Sequence, residues 1–457
     1  MTDPTPATTI LELGPDVFDP VEPADFPQTI LRFRNDRAAA EIGLDTLDDA
    51  QWLQHFGRFA ALPGSLRQPL ALRYHGHQFR SYNPDLGDGR GFLFAQLRDD
   101  RGRLLDLGTK GSGTTPYSRF GDGRLTLKGA VREILATEML EALGVETSRT
   151  FSVIETGEKL MRNDEPSPTR SAVLVRLNHS HIRYGSFQRQ AFHQNREALQ
   201  RLVDYCLTHL APEASGPTPV AALIDHAVKG AARMAAQFMA AGFVHGVLNT
   251  DNINITGESF DYGPWRFAPA WDAGFTAAYF DHSGLYAFGR QAEALQWNLF
   301  QLASALRLIA DVDELKPALE TYPLRYRAAL SDAVLGRLGV KRLGSSEDEA
   351  LVAAVQSALV ATQMDPDRFF FDWRGGVRRG ASPAEHHYSH DAFGDFLRLI
   401  PDFAVGGPGH DYWADTAPCT MLIDEVEALW APIAESDDWA PLYAKIAAIR
   451  RMGEAHA

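Results

Sequence analysis

Cysteine is almost missing from this chain: Cys206 and Cys419 are the only two in 457 residues. That excludes a disulfide framework, and with no Cys-x-x-Cys pair no zinc site is expected. Positive charge is also short. Lysine and arginine number 44 against 59 acidic residues, a formal net charge of −15. Such a balance argues against a nucleic-acid partner and leaves room only for a local basic pocket. No uncharged apolar run reaches the roughly 18 residues that mark a membrane span. The acidic, proline-rich opening MTDPTPATTILELGPDVFDPVEP lacks the basic-then-apolar order of a secretory signal. No internal repeat is visible. What remains is 45% hydrophobic and 23% charged, the composition of a soluble enzyme with two or three domains and a large core. A cytoplasmic enzyme without membrane or nucleic-acid partners is the expectation, with a monomer favoured.

The order of elements narrows the fold class. Residues 1–25 read as an extended lead-in and 45–58 as a short helix. Two apolar runs, GFLFAQL (91–97) and RLLDLGT (103–109), flank the turn signal DDRG. They predict a hairpin with Lys110 just past its second apolar strand. A glycine-rich polar loop, KGSGTTPYSRFGDGR (110–124), follows. The period then changes: Val131, Ile134, Leu135, Glu138, Met139 and Leu143 fall at helical spacings, closed by Gly144. FSVIETGE (151–158) and AVLVRLN (172–178) read as strands. Residues 187–210 read as helical, 211–219 as a linker-like break, and 224–243 as a helix that runs into VHGVLNTDNINITG. From 290 to 360 the pattern is mainly helical. Hairpin, helix, strands, linker, helix, polar loop, helices is the order of an α+β, protein-kinase-like fold of two lobes. The expected parts are an extended segment at 1–25, a nucleotide-binding N-lobe at 26–210, and a mainly helical C-lobe at 220–457. That last part carries the metal and catalytic loop and a C-terminal extension.

Chemistry concentrates in GVLNTDNINITGESFDYGP, residues 246–264. A magnesium–nucleotide site needs hard oxygen ligands and leaves positions for phosphate and water. Kinase-like enzymes supply a catalytic Asp, then an Asn, then a metal-binding Asp on the next strand. Here His245-Gly246 is followed by Val247, which cannot accept a proton. Asn252 still stands where the metal-binding Asn would be, and Asp261 opens the Asp-Tyr-Gly segment. Asp251 is the nearest carboxylate that could replace the missing base. A plain set of Asx-turns at Asn249, Asp251 and Asn252 is the alternative.

A phosphate end can be read upstream. Lys110 and, 23 residues later, Glu133 match a strand lysine paired to a helix glutamate. Glu138 is the rival, turned well away from Glu133. LGDGR (86–90) and GDGR (121–124) double an Asp-Gly-Arg pattern on either side of Lys110. Glycine permits close backbone approach and arginine a forked donor for phosphate, although two hairpin turns would look the same. Arg176 and Arg183 could converge on one anion from a strand and its following turn. Arg90, Lys110, Arg176 and Arg183 in so acidic a chain need a reason, and a triphosphate supplies one. His179 and His181 alternate nearby without a third ligand, so a hydrogen-bonded role is expected of them and not zinc.

YHGHQFRSYNPDLGDGRG, KGSGTTPYSRFGDGR, VREILATEMLEALGVETSRT, SHIRYGSFQ and HGVLNTDNINITGESFDYGPW occur in this order between Tyr74 and Trp265. Together they resemble the selenoprotein-O-like, or YdiU, family. The resemblance implies a pseudokinase that transfers AMP from ATP to Ser, Thr or Tyr hydroxyls of protein substrates and releases pyrophosphate. It implies a nucleotide lying reversed relative to a kinase, and magnesium, or manganese in its place. By the same resemblance Gly87, Gly89 and Arg90 match the first nucleotide loop, and Asp122 and Gly123 the second. Lys110 and Glu133 match the lysine–glutamate pair, and Arg176 and Arg183 the phosphate-binding arginines. Asp251 matches the proton acceptor, and Asn252 and Asp261 the magnesium ligands. The chain departs from the pattern at Arg80, where the family usually has glycine. No cysteine occurs at 284–291 or after Cys419, so the regulatory disulfide of bacterial relatives is not carried over. A kinase transferring the γ-phosphoryl group and an inactive kinase-like interaction module are the rival readings.

Overall fold

The strand-forming runs found in the sequence assemble into one antiparallel sheet. The computed structural model describes residues 4–407 and 409–457. Along the sheet the strands run Phe18–Pro20, Leu70–Leu72, Leu93–Arg98, Leu104–Lys110, Thr169–Asn178, Arg149–Leu160 and Ile30–Arg34. Thr5–Ala7 adds to Leu93–Arg98 and Leu125–Thr126 to Thr169–Asn178, which makes nine strands. The central strands are apolar on both sides because both faces are covered. On one face the helix Leu127–Ala142 packs through Leu127, Val131, Ile134 and Leu135. Thr126 starts that helix by accepting the Gly129 N–H at 3.1 Å, and Gly144 leaves it with φ +77°. On the other face the helix Asp49–Phe56 sets Trp52 against Phe151, ring centroids 4.8 Å apart, beside Phe56 and Phe94.

The second lobe is helical. Its axis is Pro219–Ala241, capped by Thr218, which accepts from Ala221 N at 3.2 Å, and closed by Gly242 at φ +68°. Gln291–Leu306, Val312–Glu320 and Tyr322–Leu338 pack around it. Phe243–Val244 and Arg266–Phe267 pair as a two-stranded ribbon. The ribbon clamps both ends of the polar loop between them, and that loop carries Asp251, Asn252 and Asp261. Two glycine-free turn residues, Phe79 and Arg80, join a short hairpin of Gly76–Gln78 and Ser81–Asn83. This hairpin leans onto the polar loop.

Residues 184–210 form two helices, Tyr184–Phe192 and Arg196–Tyr205, followed by a wide turn at Cys206–Leu210. The break comes at Gln194, in the left-handed region at φ +54°, and Asn195 then caps the second helix. The single helical stretch read at 187–210 carried no glycine or proline to signal that stop. Ile10, Leu13 and Val17 are buried in the sheet lobe's core. Helix Ala440–His456 crosses back to lie along Leu127–Ala142, where Arg450 grips Glu138 at 2.6 and 2.8 Å. Phe369, Phe370, Trp373, Tyr388, Phe393 and Phe396 build a separate aromatic core in the last hundred residues. Among the described residues no helix is long and apolar enough to cross a membrane.

Candidate active site

A cavity of about 680 Å³ lies where the sheet lobe meets the polar loop of the helical lobe. Of the residues that the resemblance matches to the site, all line it except Glu133, which stands behind Lys110; Glu138, His179, His181 and Asn249 do not line it.

Lys110 is the last residue of its strand. It sits opposite Leu174 in the ladder, so Arg176, two residues on, projects from the same face. The Lys110 ammonium pairs with the Glu133 carboxylate and lies 3.8 Å from Asp261 Oδ1. Burial pulls the Lys110 pKa down, and Glu133 offsets part of that pull. Glu138, on another face of the same helix, is committed to Arg450.

Arg176 and Arg183 converge, as a strand followed by a turn allows. Their common target in the structure is the Asp261 carboxylate: Arg176 bonds Oδ1 and Arg183 donates to Oδ2 at 2.7 Å. Arg183 also donates to the Asp251 carbonyl at 2.8 Å and approaches Asp88 at 3.4 Å. Its guanidinium lies over the Tyr74 and Phe260 rings, 4.5 and 4.7 Å from their centroids. Burial pushes the Asp261 pKa up, but Arg176, Arg183 and Lys110 hold it well below the usual carboxylate range. Asp261 adopts φ +62°, a conformation that Asp tolerates better than most residues. Arg176 Nε donates to His181 Nε2 at 3.2 Å, and His181 also meets Asp106.

The doubled Asp-Gly-Arg pattern serves two different ends. Asp88 is buried and accepts the Leu72 N–H at 3.0 Å. Asp122 is exposed, pairs with Arg162 at 2.8 Å and caps Arg124 N at 2.9 Å. The glycines hold these loops against each other. A Cβ at Gly87 would lie 2.3 Å from the Tyr117 ring, and one at Gly123 would lie 2.2 Å from the Gly113 carbonyl carbon. The neighbour that demands glycine at Gly87 and Gly89 is therefore Tyr117. Arg90 lines the cavity, and its carbonyl accepts the Gly111 N–H at 2.7 Å.

Asp251 lies in a tight turn, Thr250–Asn252, and is 7% exposed. Its Oδ1 is buried with no hydrogen-bond donor among the described residues. Burial lifts the Asp251 carboxyl to about 6 against the opposing pull of Arg183. A buried acceptor without a donor is costly to keep, which points to a partner that arrives with its own proton. Val247 lines the same cavity, and its carbonyl accepts from Asn252 Nδ2 at 3.0 Å. That bond turns the amide oxygen of Asn252 to the free side.

Asn252 and Asp261 thus offer one amide oxygen and one carboxylate, both hard donors suited to a magnesium ion. Among the described residues no group of three or more His, Cys, Asp or Glu side chains could hold a metal. A two-ligand protein site fits an ion that takes its remaining positions from phosphate and water.

The sequence reading missed the supports of this turn. A Cβ at Gly76 would stand 2.7 Å from Asp251 Oδ1, so only glycine allows the hairpin so close to the carboxylate. His77 N donates to Thr250 Oγ1 at 2.7 Å, Thr250 donates to Gln188 Oε1 at 2.7 Å, and Gln188 Nε2 meets His77 Nδ1 at 2.8 Å. Asn249 Oδ1 accepts from Phe79 N at 3.0 Å and from Tyr286 Oη at 2.7 Å. The run YHGHQF holds the only local signal for these ties.

Residues 5–391 match the family model described as "Protein adenylyltransferase SelO". The "Protein nucleotidyltransferase YdiU" of Gloeobacter violaceus is 44% identical over 456 residues, 96% of this chain and 93% of the relative. That of Synechocystis sp. is 42% identical and covers 94% of each chain. The Pseudomonas aeruginosa protein of the same description is 37% identical over 76% of this chain and 71% of its own. Among solved structures, ROP2 from Toxoplasma gondii, described as having a protein-kinase fold and no enzymatic activity, covers 75% of this chain and 85% of its own. Its TM-score is 0.26 at 10% identity.

Proposed function

The chain belongs to the SelO, or YdiU, family of protein adenylyltransferases, and from that premise we propose how its own residues move AMP from ATP to a protein hydroxyl. Asp251 accepts the proton of a Ser, Thr or Tyr hydroxyl. The freed oxygen attacks the α-phosphorus. The bond from that phosphorus to the bridging oxygen of the β-phosphate breaks, and pyrophosphate leaves. The nucleotide lies with its α-phosphate toward Asp251, the reverse of a kinase.

Lys110, Arg176 and Arg183 neutralise charge as it develops on the departing pyrophosphate. The two arginines share the Asp261 carboxylate, which keeps them aimed into the cavity. Glu133 holds Lys110 in place from behind. The loops around Gly87, Gly89 and Arg90, and around Asp122 and Gly123, form the wall against which the nucleotide is held. Asn252 and Asp261 are the residues that would hold magnesium, which when bound would supply Lewis-acid neutralisation of phosphate charge. Both cysteines are free thiols, which suits a reducing cytoplasm. A monomer is proposed.

One observation carries this reading: the only carboxylate of the Thr250–Asn252 turn has a buried oxygen without a donor among the described residues, while Val247 fills the usual base position. Asp251→Asn should keep ATP binding, seen as an ATP-dependent rise in melting temperature. It should lose AMP transfer by about 10²-fold or more. Parallel reactions with α-labelled and γ-labelled ATP decide the chemistry. Label from the α-position should enter the acceptor protein. Transfer of the γ-label would overturn the reading in favour of a kinase.

A further inference from the structure

The protein acceptor must bring a hydroxyl to Asp251, and the surface beside the Thr250–Asn252 turn is built unlike the phosphate wall. The phosphate wall is cationic. Beside the turn, Phe79 at the hairpin tip and the pair Tyr279–Phe280 stand exposed, while Ala277, Ala278, Asp281 and Tyr286 of the same segment are buried. Tyr279 is 83% exposed, Phe280 42% and Phe79 37%. Phe79 and Phe280 meet edge to face at 5.7 Å, and Tyr279 and Phe280 at 5.1 Å. Three large aromatic side chains side by side in water are costly unless something covers them.

This shelf is continuous with the catalytic turn. The Phe79 N–H is bonded to Asn249, two residues before Asp251, and the same Asn249 oxygen takes the Tyr286 hydroxyl. A Cβ at Gly246 would meet Ala277 Cβ at 3.1 Å and Ala278 N at 3.5 Å. The chain that leads into Tyr279 and Phe280 therefore rests on the start of the catalytic loop.

Charge on the shelf is spent internally. Arg80 and Arg290 both pair with Glu293, at 3.3 and 3.4 Å. The Asp281 carboxylate accepts from Leu285 N and Tyr286 N, each at 2.8 Å. The hairpin tip is also anchored: Arg80 lies over Trp297, 5.5 Å from the ring centroid. A basic or acidic partner residue would find no free opposite charge among these groups. An apolar one would find three rings.

We propose that Phe79, Tyr279 and Phe280 form the acceptor-docking shelf, which selects polypeptide segments whose target hydroxyl is flanked by an apolar or aromatic side chain. The proposal rests on the reading of Asp251 given above and extends it to the protein substrate. An extended segment advances about 3.3 Å per residue. The flanking side chain that reaches the shelf is thus within a few residues of the modified hydroxyl.

The test uses the full chain and two synthetic peptides with one Thr acceptor each. One carries Leu and Phe on the flanks of the Thr, and the other carries Lys and Asp in the same places. AMP incorporation from α-labelled ATP gives kcat and KM, and fluorescence anisotropy gives peptide binding without ATP. Wild-type enzyme should show the lower KM for the apolar-flanked peptide. The double variant Tyr279→Ser/Phe280→Ser should raise that KM about 10- to 100-fold, with kcat and the KM for ATP unchanged. Leu324→Ser, an exposed apolar position on the helical lobe, should change nothing. Equal KM values for the two peptides, or an unchanged KM in the double variant, would overturn the shelf. So would a dimeric wild type, by sedimentation, that the double variant turns into monomer, since the occupant would then be a second copy. If neither peptide accepts AMP, the reading of Asp251 is at fault. Anisotropy still decides the shelf, because the double variant must lose binding of the apolar-flanked peptide.

Discussion

At the level of single residues, the site depends on two close approaches. Gly76 touches the Asp251 carboxylate, and an added methyl has nowhere to go because the hairpin is bonded to Thr250 on the same side. Gly76→Ala should therefore displace Asp251 and lower kcat about 10²-fold, with the ATP-dependent melting shift retained. Full transfer activity in Gly76→Ala would show that Asp251 is not held where its chemistry requires. Asp261 is the second case. It is the shared counter-ion of Arg176, Arg183 and Lys110, so its removal leaves buried Arg176 without an ion-pair partner among the described residues and weakens the pairing of the other two. Asp261→Ala should cost about 3–5 kcal/mol of stability by urea melting, besides abolishing transfer. Asp261→Asn keeps one of the two acceptor oxygens that Arg176 and Arg183 use and should fold better than the alanine variant, yet lose magnesium-dependent ATP binding. A wild-type rate with intact metal dependence in Asp261→Asn would remove Asp261 from the proposed metal site. The Lys110–Glu133 pairing and the cavity positions of Asn252 and Asp261 were legible in the chain because each is set by a local spacing on one strand, helix or loop. Gly76 was not, because the partner that makes it matter lies on the other lobe.

Among the elements, the loop from Asp251 to Asp261 is held from both sides. Its front is tied to the hairpin, and its back carries half-buried Glu258, which accepts the His179 N–H at 2.7 Å and forms no ion pair among the described residues. Burial lifts the Glu258 carboxyl to about 7. A carboxyl whose folded pKa exceeds its unfolded value costs nothing while protonated in both states. Its cost accumulates as pH rises from the unfolded value through about 7, and then levels off. Glu258→Gln keeps an acceptor for His179 and removes that cost. It should be more stable than wild type at pH 8, by about 1–3 kcal/mol, and match it at pH 4. An equal melting gap at both pH values would mean that Glu258 is not raised. Periodicity and caps announced the helix at Leu127–Ala142, with Thr126 before it and Gly144 after. The hairpin at Gly76–Asn83 gave no such notice. Its turn places Phe79 and Arg80 at φ +49° and +65°, where Asn-Gly is the usual signal, and tertiary anchors on Asn249, Glu293 and Trp297 hold it there.

Over the whole molecule, the two ends of the sequence close on the same lobe. Leu442, Ile446, Ile449 and Met452 of the Ala440–His456 helix are buried. Burying four such side chains is worth on the order of 6–10 kcal/mol, comparable with the whole margin of a folded protein. Deleting residues 439–457 should therefore give insoluble or unfolded chain. Glu138→Gln should lower the melting temperature by a smaller step without changing kcat. Wild-type melting of the truncated chain would show the helix to be an accessory. This bracing was invisible in sequence because an amphipathic helix declares an apolar face but not what covers it.

The same bracing bears on how the chain reaches its fold. Glu138 and Arg450 are 312 positions apart, and Arg32 and Asp437 405 apart. Contacts of such separation form late, since the loop they close must be ordered first. The Ile30–Arg34 strand ends the sheet, and Tyr443 Oη donates to the Arg32 carbonyl at 2.6 Å. Until the far helices arrive, that edge is bare and able to pair with another chain. Ribosomes add about 5–20 residues per second, so the bare edge persists for tens of seconds during synthesis. Newly made chains thus pass through an aggregation-prone interval whose length is set by translation speed, and a chaperone that shields strand edges would raise the yield of active enzyme without touching the finished structure.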